Sequence, residues 1–287
     1  MPAFICTTCG AQYPNSDAPP QGCLICRDHR QYVNPSGQAW TTLEAMRTTH
    51  FNAFRRLERG LMGIGTFPAF AIGQRALLLR RPEGNILWDC ISFLDDATVT
   101  LVTALGGIAA IVTSHPHFIA SAVEWSHAFR SAPVYVHGMD RRFVPRLDPV
   151  ITFWEGDTLD LGGGMTVIRC GGHFPGSSVL HWESGGAGGG GALLTGDTLQ
   201  VRPDKGLTFM YSYPNMIPLD AATVRRLADA LTPYRFETIY GGWWERVVPV
   251  RAGQVMADSV ARYLRAVGGE AGGWPDAPQP HGEEEDF

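Results

Sequence analysis

The segment 111–120 constrains the fold of this chain more than any other part of the sequence. It begins with a short apolar run rich in β-branched residues, Ile111-Val112-Thr113, and reaches a polar residue at Ser114. Such a run predicts a buried strand that ends at the edge of a sheet. His115 and His117 follow directly. Two histidines at this spacing can direct both imidazoles at one metal ion. Histidine is a common metal ligand near neutral pH, because much of it is uncharged there. One of them could equally be an ordinary core histidine.

Two Cys-x-x-Cys pairs near the N-terminus, Cys6/Cys9 and Cys23/Cys26, predict a separate metal site. Four thiolates suit one tetrahedral ion, and the metal would hold such a small segment folded. The pairs resemble the knuckles of zinc ribbons and rubredoxins. Zinc is favoured, because Arg27 stands where rubredoxins usually have glycine, and iron is the alternative. A pair of redox dithiols is a less favoured interpretation.

The charge distribution argues against nucleic acid or a membrane as a partner. The formal net charge is -5, and five acidic residues of the last twelve account for it: Asp276, Glu283, Glu284, Glu285 and Asp286. The near-neutral remainder has no basic surface that would attract polyanions. The uncharged stretch 97–123 is long enough to span a bilayer, but its turn residues and histidines divide it. Residues 1–10 lack the pattern of a secretory signal, so we expect a cytoplasmic protein.

Strands and helices alternate over 67–267, which predicts an α/β domain. The clearest elements are helices over 95–105 and 121–129 and strands over 108–113 and 133–137. Before this domain come the four-Cys module, 1–33, and a linker, 34–66, in which apolar spacing predicts a helix within 41–61. Gly, Pro and acidic residues dominate 268–287, which we expect to be a disordered acidic tail.

Residues with metal-binding or catalytic chemistry recur in a fixed order along the main domain. They are Asp89, Ser114-His115-Pro116-His117, Glu155-Gly156-Asp157, Gly172-His173-Phe174-Pro175-Gly176-Ser177, Gly196-Asp197 and Tyr240-Gly241-Gly242-Trp243. Over residues 65–265 this ordered set resembles the metallo-β-lactamase-fold hydrolase superfamily. The resemblance implies an αββα sandwich with a metal site at one edge of two packed sheets.

The resemblance also implies which side chains bind metal. The family's first metal would be held by His115, His117, His173 and Asp197. The second metal would have no ligands, because Ile119 and Ala120 stand at the family's Asp and His positions and Trp243 stands at its last His. We therefore expect one ion, zinc, with iron or manganese as alternatives. Three histidines and a water would make an open catalytic site, whereas a tightly bound Asp197 would make a closed structural one.

Other residues are candidates for acid–base catalysis and substrate contact. Because Ile119 cannot orient a water or carry a proton, Glu124, one helical turn beyond Ala120, is a candidate acid–base group. It could equally be a solvent-facing helix carboxylate. Asp89 is expected to orient a ligand histidine. Substrate contacts are predicted for five residues, any of which could instead belong to a packed lid or core: Ile119, Tyr211, Tyr213, Trp243 and Trp244.

Three functions fit this sequence. The first is a single-metal hydrolase that uses a metal-activated water on a small ester, lactone, thioester or amide. The second is a non-catalytic metal-binding or ligand-binding protein. The third is a redox protein with iron in the four-Cys module. A small molecule is the expected partner, and the four-Cys module could also dock a second copy of the chain to form a homodimer.

Overall fold

The computed structural model describes residues 1–267, and the predicted acidic tail lies outside the described residues. The N-terminal module contains a three-stranded antiparallel sheet in the order β2-β1-β3. Its strands are β1 (Ala3–Cys6), β2 (Gln12–Asn15) and β3 (Trp40–Thr41). A short helix, α1 (Leu43–Met46), follows, with Thr42 as its N-cap.

A seven-stranded sheet comes next, in the order β10-β9-β8-β7-β6-β5-β4. Strands β4 to β7 pair antiparallel, whereas β7 to β10 pair parallel. The strands are β4 (Phe51–Glu58), β5 (Leu61–Phe67), β6 (Arg75–Leu79), β7 (Ile86–Trp88), β8 (Ala110–Val112), β9 (Val134–His137) and β10 (Ile151–Trp154). Two helices connect the parallel strands, α2 (Asp96–Ala104) after β7 and α3 (Ala122–Ala128) after β8.

A six-stranded sheet follows, in the order β11-β12-β13-β14-β19-β20, and only β14 and β19 pair parallel within it. Its strands are β11 (Thr158–Gly162), β12 (Met165–Arg169), β13 (Ser178–Trp182), β14 (Ala192–Gly196), β19 (Thr238–Gly241) and β20 (Val247–Val248). Two small strand pairs lie between β14 and β19: β15 (Gln200–Val201) with β16 (Leu207–Thr208), and β17 (Met210–Ser212) with β18 (Ile217–Pro218). The helices are α4 (Ala221–Leu231) and α5 (Ala252–Val267).

The two large sheets pack face to face, and each carries helices on its outer side. Strand β6 shows the two-residue alternation behind this arrangement. Leu77 and Leu79 pack in the core between the sheets, whereas Ala76 and Leu78 pack in the core under α2 and α3. Helices α4 and α5 cover the second sheet in the same way. The predicted αββα sandwich, preceded by a four-Cys module, is confirmed.

The helix predicted within 41–61 is wrong except for the single turn of α1. Residues 51–58 form β4, which pairs antiparallel with β5, so residues 51–67 belong to the first sheet and not to a linker. The hairpin turn uses Gly60 at a φ of +89°, a conformation that glycine adopts at little cost. Tertiary pairing therefore overrides the helical spacing of the apolar residues. No helix within residues 1–267 combines the length and apolarity that crossing a bilayer requires.

Candidate metal centre

The first two ligand candidates lie where parallel strands of the first sheet end. Strands β7 and β8 run side by side with Trp88 opposite Val112, so the residues after both strands meet at one edge. His115 lies beyond the end of β8 in extended backbone. A 3-10 turn, Pro116–Phe118, then begins with proline and places His117 beside His115. Their ring centroids are 5.2 Å apart.

The other two candidates come from the second sheet. His173 lies in the glycine-rich loop between β12 and β13, and Asp197 directly follows β14. One donor atom from each of the four residues lies within 4.8 Å of every other, and all four residues are buried. The structure therefore brings together a set that spans more than eighty residues of sequence.

The distances fit a tetrahedral ion. Donors bound at ~2.0–2.1 Å in a tetrahedron are about 3.4 Å from one another. His115 Nε2 and Asp197 Oδ1 are 3.1 Å apart, and His173 Nε2 and His117 Nδ1 are 3.2 Å apart. His173 Nε2 is 4.0 Å from Asp197 Oδ1. His115 Nε2 and Asp197 Oδ1 are buried without a hydrogen-bond partner, so a cation between them would satisfy both.

Burial sets the protonation of these groups. It lowers the pKa of His115 and of His117 well below the usual range, and it lowers the pKa of His173 to about 4. The imidazoles are therefore neutral, which is the form that binds metal. Burial, with Asp89 as a second cause, raises the pKa of Asp197 well above its usual range. A carboxylate in this position is stable in its charged form only beside a cation.

A neighbouring carbonyl fixes the tautomer of one ligand, and a hydroxyl contacts another. His173 Nδ1 donates to the carbonyl of Tyr211 at 2.9 Å, which leaves Nε2 free to bind metal. His115 Nδ1 lies 2.9 Å from the hydroxyl of Ser114. Asp89 accepts the main-chain N–H of Ser114 at 2.7 Å. We expected Asp89 to orient a ligand histidine. It reaches His115 through Ser114 and does not bond a ligand histidine directly.

A glycine lets these elements approach one another. Gly196, which precedes Asp197, has a φ of +55°, and a Cβ there would lie 2.7 Å from the Ser114 hydroxyl and 3.1 Å from Asp89 Oδ2. Both the backbone conformation and the space favour glycine at this position. The Gly-Asp dipeptide therefore allows the second sheet to deliver Asp197 to the edge of the first.

Two of the predicted substrate-contact residues pack against the first sheet. Ile119 is 4% exposed and packs in the core under α2 and α3, because the turn after Phe118 directs it into the first sheet. Trp244 packs flat on β5, where a Cβ added to Gly63 or Gly65 would lie within 2.8 Å of its ring. These positions do not favour substrate contact by either residue, and their contact with substrate stays a prediction.

The remaining predicted residues lie nearer the ligands, with one exception. Trp243 packs against Phe118 at 5.7 Å, and Phe118 packs against His115. The Tyr213 hydroxyl donates to the main-chain oxygen of Asp197 at 2.6 Å, and Tyr211 bonds His173 through its carbonyl. Glu124 instead pairs with Arg146 at 2.7 Å, so a guanidinium neutralises its carboxylate. The ion pair favours the structural role that the sequence also allowed for Glu124.

The four cysteines also converge. Cys6 and Cys26 sulfurs are 3.5 Å apart, as are those of Cys9 and Cys23, and all four thiols are buried. Sulfurs bound to zinc at ~2.3 Å in a tetrahedron lie about 3.8 Å apart, whereas a disulfide requires about 2.05 Å. The arrangement fits one ion held by four sulfurs.

The sequence interpretation missed three neighbours of the histidine site. Phe174 is fully buried and its ring contacts the rings of all three ligand histidines. Arg30 lies over Phe174, and Ser114 contacts His115. Adjacency to the histidines could have indicated Phe174 and Ser114. Nothing in the sequence indicated Arg30, which lies 143 positions before His173.

Comparisons with known proteins agree with this geometry. Residues 71–243 match the family model of the metallo-beta-lactamase superfamily. An uncharacterized protein of Bacillus subtilis (strain 168), YmaE, is 45% identical over 273 residues, which cover 94% of this chain and 98% of that protein.

Solved structures share the fold at low sequence identity. The VMB-1 structure matches with a TM-score of 0.56 and 14% identity, covering 75% of this chain and 97% of its own. The mono-zinc form of the metallo-beta-lactamase FIM-1 from Pseudomonas aeruginosa matches with a TM-score of 0.53 and 14% identity, covering 74% and 96%. The matched domain, the αββα layers and the histidine-rich edge agree, and this chain belongs to the metallo-β-lactamase superfamily.

Proposed function

We propose that this protein is a single-metal hydrolase that acts on a small ester, lactone, thioester or amide. The observation that carries the proposal is the convergence of three neutral histidines and one carboxylate, with donor atoms within 4.8 Å of one another. Zinc is the ion that this donor set favours, with iron or manganese as alternatives. When bound, it would lower the pKa of a coordinated water and supply a nucleophile at neutral pH.

Replacement of the second-site ligands supports a single ion. Ile119 is in the core and Ala120 is buried beside it, so neither can donate to a metal. The Trp243 indole donates to the main-chain oxygen of Ile72 at 2.9 Å, and its ring lies against Phe118. We propose that this half-buried indole offers apolar surface to an acyl or aromatic part of the substrate.

A turnover assay tests the proposal. Protein loaded with zinc should hydrolyse at least one member of a panel of aryl esters, lactones, thioesters and amides. H115A should abolish that turnover because it removes a ligand, and D197N should abolish it because a neutral amide oxygen is a much weaker metal ligand than a carboxylate. H127A is the matched control, since His127 pairs with Asp148 at the surface. Full metal occupancy without turnover on any member would contradict the proposal.

A specific observation favours a second candidate, a metal that only stabilises the fold. Four protein donors converge at tetrahedral spacing, and a zinc ion bound by all four would have no coordination position left for a water. This alternative predicts that H115A lowers the melting temperature strongly while wild-type protein shows no activity to lose. Turnover that disappears in H115A would reject it.

Iron in the four-Cys module defines the third candidate, a redox protein. Four thiolates accept iron as well as zinc. Visible absorbance of the purified protein distinguishes the two metals, because a zinc–thiolate site is colourless.

A cytoplasmic location and a homodimer stay predictions.

A further inference from the structure

Arg30 belongs to the four-Cys module but lies against the histidine site. Its Nε donates to the main-chain oxygen of His173 at 2.6 Å, and Nη1 pairs with Asp28 at 2.7 Å. The guanidinium lies 4.4 Å from the ring centre of Phe174 and 4.7 Å from that of Tyr211. Arg30 is 8% exposed, so these contacts are shielded from water and correspondingly strong.

These contacts reach His173 from two directions. The first is the Nε bond to the His173 carbonyl. The second runs through the carbonyl of Arg30, which accepts the Ser212 hydroxyl at 3.0 Å. Ser212 follows Tyr211, whose carbonyl accepts the Nδ1 hydrogen of His173. Arg30 therefore fixes both the backbone of His173 and the segment that orients its imidazole.

The cysteine knuckle in turn fixes Arg30. Cys23 accepts the N–H of Arg27, Ile25 accepts the N–H of Asp28, and the Asp28 carboxylate accepts the N–H of Arg30. Short-range hydrogen bonds within residues 23–30 thus hold the arginine close to the second cysteine knuckle, which contains Cys23 and Cys26. The module and the main domain also share a core, in which the four cysteines pack with Phe143 and Phe174.

We propose that Arg30 is a positioning residue for His173, and that through it the metal of the four-Cys module strengthens metal binding at the histidine site. Loss of the guanidinium would leave the buried His173 carbonyl without a partner and uncover one face of Phe174. Groups that orient a metal ligand typically change metal affinity by about 10–100-fold. The coupling is reciprocal, as it must be for two binding equilibria.

The inference rests on metal binding at the histidine site but not on hydrolysis. The test uses the full chain loaded with Co²⁺, because cobalt–thiolate absorbance distinguishes the module from the histidine site. Competition with a chelator then gives the affinity of each site in wild type, R30M, R30K and R142M. Arg142 is the matched control, because it lies 4.6 Å over the ring of Phe143 and is exposed.

We expect R30M to weaken cobalt binding at the histidine site by about 10–100-fold. The affinity of the four-Cys site, measured with the histidine site empty, should stay within about twofold of wild type. R30K should be intermediate, since lysine supplies charge and a donor but not a planar stacking group. R142M should match wild type. C26S, in a preparation that retains its near-ultraviolet circular dichroism, should weaken the histidine site as R30M does.

Two results would overturn the inference while leaving the hydrolase proposal standing. One is R30M with unchanged affinity at the histidine site. The other is R30M in which the four-Cys site, measured with the histidine site empty, is weakened as much as the histidine site. Wild-type protein that binds cobalt only through cysteines would refute the histidine metal site itself, and both proposals would fall.

Discussion

The main-chain N–H of Ser114 donates a hydrogen bond to Oδ1 of Asp89 at 2.7 Å, and this bond joins the ends of two parallel strands. Asp89 is buried and adopts a φ of +61°. Burial raises the pKa of its carboxyl to about 7. Because the Ser114 hydroxyl contacts His115, we expect this carboxyl, which lies outside the ligand set, to help orient a ligand.

Replacement of Asp89 should therefore weaken metal binding without removing a ligand. D89A loses the acceptor for Ser114, and we expect about 10–100-fold lower metal affinity at the histidine site. D89N keeps an acceptor oxygen, and asparagine tolerates a positive φ, so its affinity should stay closer to wild type. Chelator competition measures both variants. Equal affinity in D89A and wild type would show that Asp89 does not orient His115.

A ligand variant should empty its own site, while the other site still binds metal, at reduced affinity. Element-specific quantification should find two ions in each wild-type chain and about one in H173A, which keeps the metal held by cysteines. C6S should lose the module's metal and melt at a lower temperature, because the metal contributes folding free energy to so small a unit. Wild-type protein with a single ion, or H173A with two, would contradict the assignment.

Trp244 supports the first sheet, so crowding its binding surface should lower stability and spare the metal. In G65A a Cβ would lie 2.7 Å from the Trp244 ring, and the fit on β5 would be lost. Overpacking of this kind typically costs about 1–3 kcal/mol of unfolding free energy. Denaturant unfolding measures the loss, and metal content should remain at the wild-type level. Loss of metal in folded G65A would instead place Trp244 in the site.

Asp140 should make stability depend on pH. Its Oδ1 accepts the N–H of Gly176 at 2.9 Å, whereas Oδ2 is buried without a partner. Burial raises its pKa from 3.8 to about 6. At a pH between these two pKa values, the folded state binds more protons than the unfolded state. The contribution of Asp140 to stability is therefore present below pH 4 and is lost as the pH rises through 6.

D140N removes this titration and keeps an acceptor for Gly176. Its unfolding free energy relative to wild type should therefore rise by about 1–3 kcal/mol between pH 4.5 and 7.5. Comparing the two proteins at each pH cancels the contribution of the metal ligands, which both share. A difference that stays constant across this range would show that Asp140 ionises normally.

Local patterns predicted much of the fold correctly. The helices expected over 95–105 and 121–129 correspond to α2 and α3, and the strands over 108–113 and 133–137 to β8 and β9. Their signals are short-range: apolar periodicity and turn residues. The helix expected within 41–61 was wrong, since pairing with β5 decides the conformation of β4 and the pairing partner is not encoded locally.

The sequence by itself determined the donor sets, because the chemistry of His115, His117, His173, Asp197 and the four cysteines is a property of residue type and order. Only the tertiary structure decided what surrounds them. It buried Ile119, placed Trp244 on β5, paired Glu124 with Arg146 and brought Arg30 to His173. Spatial neighbours far apart in the chain depend on how the sheets pack, and packing is a collective property of the whole core that no single segment carries.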